Sequence, residues 1–138
     1  MKPYIHKVQY YETDKMGITH HSNYVRWMEE ARIEFLDQIG WSYVRMEEEG
    51  IISPLLAVNC RYKHSTTFSD EISVTVKVKE FKGVRLILEY TMKNRKDDFV
   101  VLTGTTEHCF LNTQSRPINM KKEFPGLFQV LTDLANVQ

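Results

Sequence analysis

Between Ser22 and Gly40 the chain carries one long 3.6-residue repeat of apolar side chains, and the residues beyond it read mainly as strand. Tyr24, Trp27, Met28, Ala31, Phe35 and Ile39 form the stripe, with Val25 and Leu36 widening it. Arg26, Glu29, Glu30, Ile33, Glu34 and Asp37 fall on other faces. Ser22 or Asn23 can accept from the first amides as a cap, and Gly40 is a usual terminator. About 17 residues give roughly 25 Å of helix.

From Ile51 onward the period changes to two. Glu71 to Phe81 is the clearest strand, with Ile72, Val74, Val76 and Val78 set against Ser73, Thr75, Lys77 and Lys79. Ile51 to Lys63 reads as a strand with Ser53-Pro54 as an irregular start, since proline cannot donate to a ladder. Val84 to Asn94 and Phe99 to Leu111 come next, with turns at Lys82-Gly83 and Arg95 to Asp98. Ahead of the long helix, residues 4–12 alternate loosely, with Tyr4, His6, Val8 and Tyr10 on one side. Trp41 to Glu49 suits a shorter helix and Leu127 to Ala135 a peripheral one. One principal helix set apart from about five antiparallel strands is the α+β pattern. The mixed character of several strand faces suggests dimerisation.

The 138 residues fit a single domain, 1–138. Lys plus Arg and Asp plus Glu both number 18, and zero net charge argues against a dedicated nucleic-acid binder. Cys60 and Cys109 lie in strand-like runs, and Met1-Lys-Pro-Tyr-Ile-His has no long apolar run behind it. Reduced thiols in a soluble cytoplasmic protein are the expectation. No segment reaches the roughly 18–20 apolar residues of a membrane span. There is no G-x-S-x-G elbow, and neither a Walker A nor a dinucleotide glycine fingerprint.

Chemistry points to the loop from Thr13 to His21. Asp14 precedes the helix start, where unsatisfied amides and the positive dipole end would stabilise a developing oxyanion. A carboxylate there can attack an acyl carbonyl or activate water, although an aspartate can also serve only to shape a turn. Gly17 is free to take a positive φ. His20 and His21 are adjacent, so their side chains are expected to diverge, and with Asp14 as the one evident third ligand they make a poor metal site. His6, His64 and His108 show no ligand spacing. Glu30 and Arg32 suit an ion pair or a loop contact on the helix. Lys79, Lys82, Arg85, Lys93, Arg95 and Lys96 read as solvated surface or as a phosphate-holding patch.

Tyr11 to Phe35 closely resembles the hot-dog-fold acyl-CoA thioesterases of the 4-hydroxybenzoyl-CoA thioesterase type, including the Tol-Pal-associated bacterial enzymes. The matching residues are Asp14, Gly17, Ile18, His21, Asn23, Tyr24, Trp27, Glu30, Ala31 and Arg32. Pro54 to Arg61, with Phe68-Ser69-Asp70-Glu71-Ile72 after it, resembles the start of the family's later strands, and the likeness extends from about Ile5 to Leu111. It implies a long central helix wrapped by a five-stranded antiparallel sheet, dimerising and often tetrameric, with sites at the dimer interface. It implies hydrolysis of an acyl-CoA to free acid and CoA, with no cofactor and no metal. Asp14 matches the catalytic aspartate, as nucleophile or as base for water. The backbone N–H of His21 matches the amide that polarises the thioester carbonyl. Gly17, Tyr24 and Trp27 fall on the substrate side. Lys82 and Arg85 are the nearest matches to the side chains that meet CoA phosphates, although Gly83 departs from the doubly basic pattern of some members. Two other readings fit the same fold: an enoyl-CoA hydratase or dehydratase using Asp14 with His20 or His21, and a non-enzymatic acyl-CoA-binding module.

Overall fold

The computed structural model describes residues 1–137. The elements run β1 (Tyr4–Lys7), a one-turn 3-10 helix (Tyr10–Glu12), α1 (Ser22–Gln38), α2 (Tyr43–Glu48), β2 (Leu55–Tyr62), β3 (Glu71–Phe81), β4 (Arg85–Asn94), β5 (Val100–Cys109), α3 (Met120–Glu123) and α4 (Pro125–Asn136). The strands form one five-stranded sheet in the order β1-β3-β4-β5-β2. β1 pairs antiparallel with β3, with Tyr4 opposite Val74 and His6 opposite Ile72.

The apolar repeat of α1 does what its spacing predicts. Tyr24, Trp27, Met28, Ala31, Phe35 and Leu36 are buried, while Val25 stays exposed. The helix stops where Gly40 takes φ +83° and Trp41 N–H returns to the Leu36 carbonyl at 3.0 Å. In β3, Ile72, Val74 and Val78 are buried while Thr75, Lys77 and Lys79 are exposed. Its observed bounds are those the alternation predicts.

The chain divides into two compact units. One comprises Met1–Phe35, Cys60–Val76 and Tyr90–Gly104. Its core gathers Trp27, Met28 and Ala31 with Ile72, Val74, Tyr90, Met92, Val101 and Leu102. The other comprises Leu36–Asn59, Lys77–Glu89 and the residues from Thr105 onward. There Trp41 meets Phe124 edge-on at 6.1 Å and carries the Arg45 guanidinium 3.6 Å above its ring. Phe81 touches both Phe110 and Phe128, and Leu127 and Leu131 of α4 are buried.

Three local expectations are revised. The first strand ends at Lys7, because the chain tightens into the 3-10 turn when Glu12 folds back to take the Gln9 N–H. The second strand is shorter than 51–63. Ile52 makes only an isolated bridge to Leu111, and the ladder starts after Pro54. Neither Ser22 nor Asn23 sits outside α1 as a cap, since both lie within it. The Ser22 amide donates instead to His20 Nδ1 at 3.2 Å.

Cys60 and Cys109 are free and half-buried. Among the described residues no helix is long and apolar enough to cross a membrane.

Candidate active site

The loop between the 3-10 turn and α1 is a small hairpin. Thr13 bridges Thr19, and Ile18 bridges Thr67 on the segment before β3. Asp14 N–H donates to the Ile18 carbonyl at 2.9 Å, and Gly17 N–H to the Asp14 carbonyl at 3.0 Å. Gly17 has φ +79° with open space around its α-carbon, so backbone conformation, not crowding, calls for glycine here. Thr19 anchors the far limb through its amide to the Thr66 carbonyl at 2.9 Å and its hydroxyl to Thr66 Oγ1 at 2.6 Å.

Asp14 is half-buried in this turn. Its Oδ1 accepts the Met16 N–H at 2.8 Å. The side chain therefore shapes its turn through one oxygen, and Oδ2 takes no part in that bond. A carboxylate oriented through one oxygen still has a second that can receive a proton or attack.

His20 and His21 do not diverge. Their rings stack at 4.3 Å with a 29° interplanar angle. The cause is local: His20 Nδ1 engages the Ser22 hydroxyl at 2.8 Å and the Ser22 amide at 3.2 Å, which turns the ring back toward its neighbour. His21 also meets the Tyr62 ring edge-on at 6.4 Å. At the start of α1, Asn23 N–H donates to the His20 carbonyl and Tyr24 N–H to the His21 carbonyl. The His21 amide is engaged by none of these bonds.

The sequence-based site residues divide by location. Asp14, Gly17, His21, Tyr24 and Trp27 share the first compact unit. Tyr24 is buried, with its hydroxyl 3.1 Å from Thr66 Oγ1, and burial is the main cause that pushes its phenol up. Trp27 is fully buried, so it lies beneath the surface of the site. Lys82 and Arg85 belong to the second unit, and both have acidic partners. Lys82 Nζ lies 2.9 Å from Glu80 Oε1, and Arg85 Nη2 lies 2.5 Å from Glu107 Oε1. Lys82 also holds the Glu80 carboxyl below its ordinary range, chiefly through that contact.

Glu12 escaped the sequence reading. It is 4% exposed, yet both of its carboxylate oxygens have polar partners. Oε1 accepts the Gln9 amide at 2.7 Å and faces His6 Nε2 at 2.9 Å, and Oε2 accepts the Trp27 indole N–H at 2.8 Å. Burial alone would raise its pKa. The donors from Gln9, His6 and Trp27 and the His6 charge outweigh burial and lower it below 4.5. Alternation gave no signal for it, because the chain leaves the extended state after Lys7 and the 3-10 turn brings Glu12 inward while Tyr10 stays exposed. On the other side of His6, Nδ1 lies 3.1 Å from the Tyr4 hydroxyl and 3.3 Å from Glu30 Oε2. The Tyr4 hydroxyl donates to Glu30, which gives that helix acid its partner, and burial, then Glu30, pushes the phenol up.

A separate polar cleft of about 370 Å³ is lined by Ser69, Asp70, Glu71, Asn94, Arg95 and Lys96; Arg95 and Lys96 belong to the basic set noted in the sequence, and Asp14, Gly17, His21, Tyr24, Trp27, Lys82 and Arg85 do not line it. Among the described residues no group of three or more His, Cys, Asp or Glu is arranged to hold a metal ion.

A long helix with a five-stranded antiparallel sheet is the hot-dog fold of the thioester hydrolases. The chain belongs to the thioesterase-like superfamily, whose family model matches residues 8–131. A protein of Aquifex aeolicus provisionally named an esterase is 35% identical over 94% of this chain and 97% of its own. A Bacillus subtilis protein with the provisional name acyl-CoA thioesterase YneP is 29% identical over 86% of each chain. Among solved structures, the DHNA-CoA thioesterase from Staphylococcus aureus superimposes with a TM-score of 0.90 at 32% identity, covering 96% of this chain and 89% of that one.

Proposed function

We propose that this chain is an acyl-CoA thioesterase that hydrolyses an acyl-CoA to free acid and CoA, with residues 1–138 working as one domain. The observation that carries the reading is Asp14 itself. It is fixed by one oxygen in a tight hairpin directly before α1, in a family of thioesterases. The provisional name of the Bacillus relative and the name of the Staphylococcus structure both specify CoA thioesters, which supports CoA as the leaving group.

Two routes fit the chemistry. As general base, Asp14 takes a proton from water while the water oxygen bonds to the thioester carbon. The His21 N–H stabilises the carbonyl oxygen as it gains charge, and collapse releases the CoA thiolate, which then takes up a proton. As nucleophile, the Asp14 carboxylate attacks the same carbon and expels the thiolate, leaving a mixed anhydride that water opens. After a single turnover in heavy-oxygen water, label found on Asp14 marks a mixed anhydride opened at the aspartyl carbon.

Gly17 sets the loop conformation beside the substrate, and Tyr24 backs the acyl side with Trp27 beneath it. Lys82 and Arg85 are proposed to meet the CoA phosphates by exchanging their present carboxylate partners, a role that rests on the family likeness. A homodimer or homotetramer is proposed on a separate observation. β2 is an edge strand, and Leu55, Leu56, Val58 and Tyr62 on it are 38–55% exposed. A long apolar edge left unpaired is a template for another chain. The half-buried free thiols fit a reducing compartment and hence a cytoplasmic location.

The test is release of free thiol from a panel of aliphatic and aromatic acyl-CoA thioesters. Asp14→Asn is expected to lower kcat by about 10²–10⁴-fold while circular dichroism stays native. Equal rates for Asp14→Asn and wild type across the panel would refute the assignment.

A further inference from the structure

We infer that Glu12 is a positioning residue for the hydrolysis, clamping both ends of the loop from Thr13 to His21 so that Asp14 and the His21 amide keep a fixed spacing. The inference rests on the roles proposed above for those two groups.

The leading end of the loop is held by the Glu12 carboxylate. Its three donors come from three different elements: His6 of β1, Gln9 at the head of the 3-10 turn, and Trp27 in the second turn of α1. The trailing end is held by the same residue's carbonyl oxygen. It accepts the His20 N–H at 2.8 Å and the Asn23 side-chain amide at 3.0 Å. Asn23 is itself buried, and its Nδ2 also reaches the His20 carbonyl at 3.2 Å. The His20 carbonyl, which shares its peptide group with the His21 N–H, and the preceding His20 N–H are thus both held, and Asp14 follows two residues after Glu12. One residue sets where the loop leaves and where it returns.

Stability alone is a weak reason for this arrangement. Burying a carboxylate carries a desolvation cost that an apolar set of side chains would avoid. A carboxylate can, however, gather several N–H groups from separate elements at one point, which an apolar side chain cannot do. The His6 ring extends the clamp outward to Tyr4 and Glu30, so strand β1 and helix α1 are tied at the same place.

The test is a kinetic comparison of Glu12→Gln, Asp14→Asn and the double variant in the full-length protein, with an acyl-CoA that wild type hydrolyses. Gln keeps the shape but turns an amide NH2, itself a donor, toward one of the three donors. Glu12→Gln is expected to lower kcat by about 10²-fold, the scale of a displacement of about 1 Å, with KM little changed. In the double variant the two losses should combine to clearly less than their product, because Glu12 acts through Asp14 and its partner amide. A wild-type kcat for Glu12→Gln overturns the inference. So does a loss of the same factor on both backgrounds, which is the behaviour of a residue that only lowers the folded fraction. If Glu12→Gln does not fold at the assay temperature, Trp27→Phe decides, since it removes one donor and keeps a ring. A reduced kcat at constant KM supports the clamp, and a wild-type kcat overturns it. Asp14→Asn separates the two levels: full activity there refutes the proposed function, whereas an inactive Asp14→Asn beside a fully active Glu12→Gln refutes the clamp alone.

Discussion

The indole N–H of Trp27 donates to Glu12 Oε2 at 2.8 Å, joining the buried face of α1 to the residue two positions before Asp14. The helix core and the loop thereby share one hydrogen bond, and the fully buried ring of Trp27 makes that bond inaccessible to water.

The Glu12 carboxyl makes folding stability depend on acid in a defined direction. Its folded pKa lies below 4.5, so the stability it contributes is complete above the unfolded value and is lost as pH falls through the folded value. Wild type should lose melting temperature on acidification through this range. Glu12→Gln should start lower at neutral pH and lose less, so the two curves converge. Parallel curves in calorimetry between neutral and acid pH would contradict the assignment of an ionised, hydrogen-bonded Glu12.

Gly17 at φ +79° has no neighbour near a built Cβ, so Gly17→Ala tests backbone strain alone. Holding alanine in the left-handed region costs about 1–2 kcal/mol. The expected outcome is a destabilisation of that size in urea titration together with a lower kcat, because Asp14 belongs to the same turn. Gly17→Asn should recover part of both, since asparagine tolerates this region better. Equal behaviour of the two variants would remove φ as the explanation.

Lys82→Ala and Arg85→Ala should each raise KM for acyl-CoA substrates by about two- to fivefold, the scale of an exposed ion pair. The corresponding thioesters of a short thiol without phosphates should show no such change. A rise shared equally by both substrate types would place these residues away from the phosphates.

The edge strand offers a direct measurement of assembly. Leu56→Lys or Val58→Lys on β2 should weaken self-association by at least about tenfold, as loss of one well-buried interface anchor does. Sedimentation would read the shift toward smaller species, and circular dichroism should stay native. A wild-type distribution in both variants would show that β2 is not the contact.

Legibility tracked the range of the interactions. The burial of the α1 stripe and the full length of β3 could be read directly, because period and turn residues are local properties. Gly17 was legible for the same reason, as a loop glycine with a demanding φ. Trp27 was legible as buried, but the partner of its indole N–H, Glu12, comes from a turn fifteen residues earlier that only packing brings beside it. The histidine pair was misread because the ring of His20 is steered by Ser22, and two adjacent residues alone do not determine ring directions. Lys82 and Arg85 read as solvated surface or as holders of phosphate, and their carboxylate partners Glu80 and Glu107 come within reach only through the turn and the pairing of β4 with β5.

The sequence by itself determined the helix, the alternating strands and the loop that presents Asp14, since each depends on side chains a few positions apart. Only the tertiary structure decided the state of Glu12. A carboxylate in an apolar setting is either a fault or an anchor, depending on which donors reach it. Those donors come from His6, Gln9 and Trp27, brought together when β1, the 3-10 turn and α1 pack around one point.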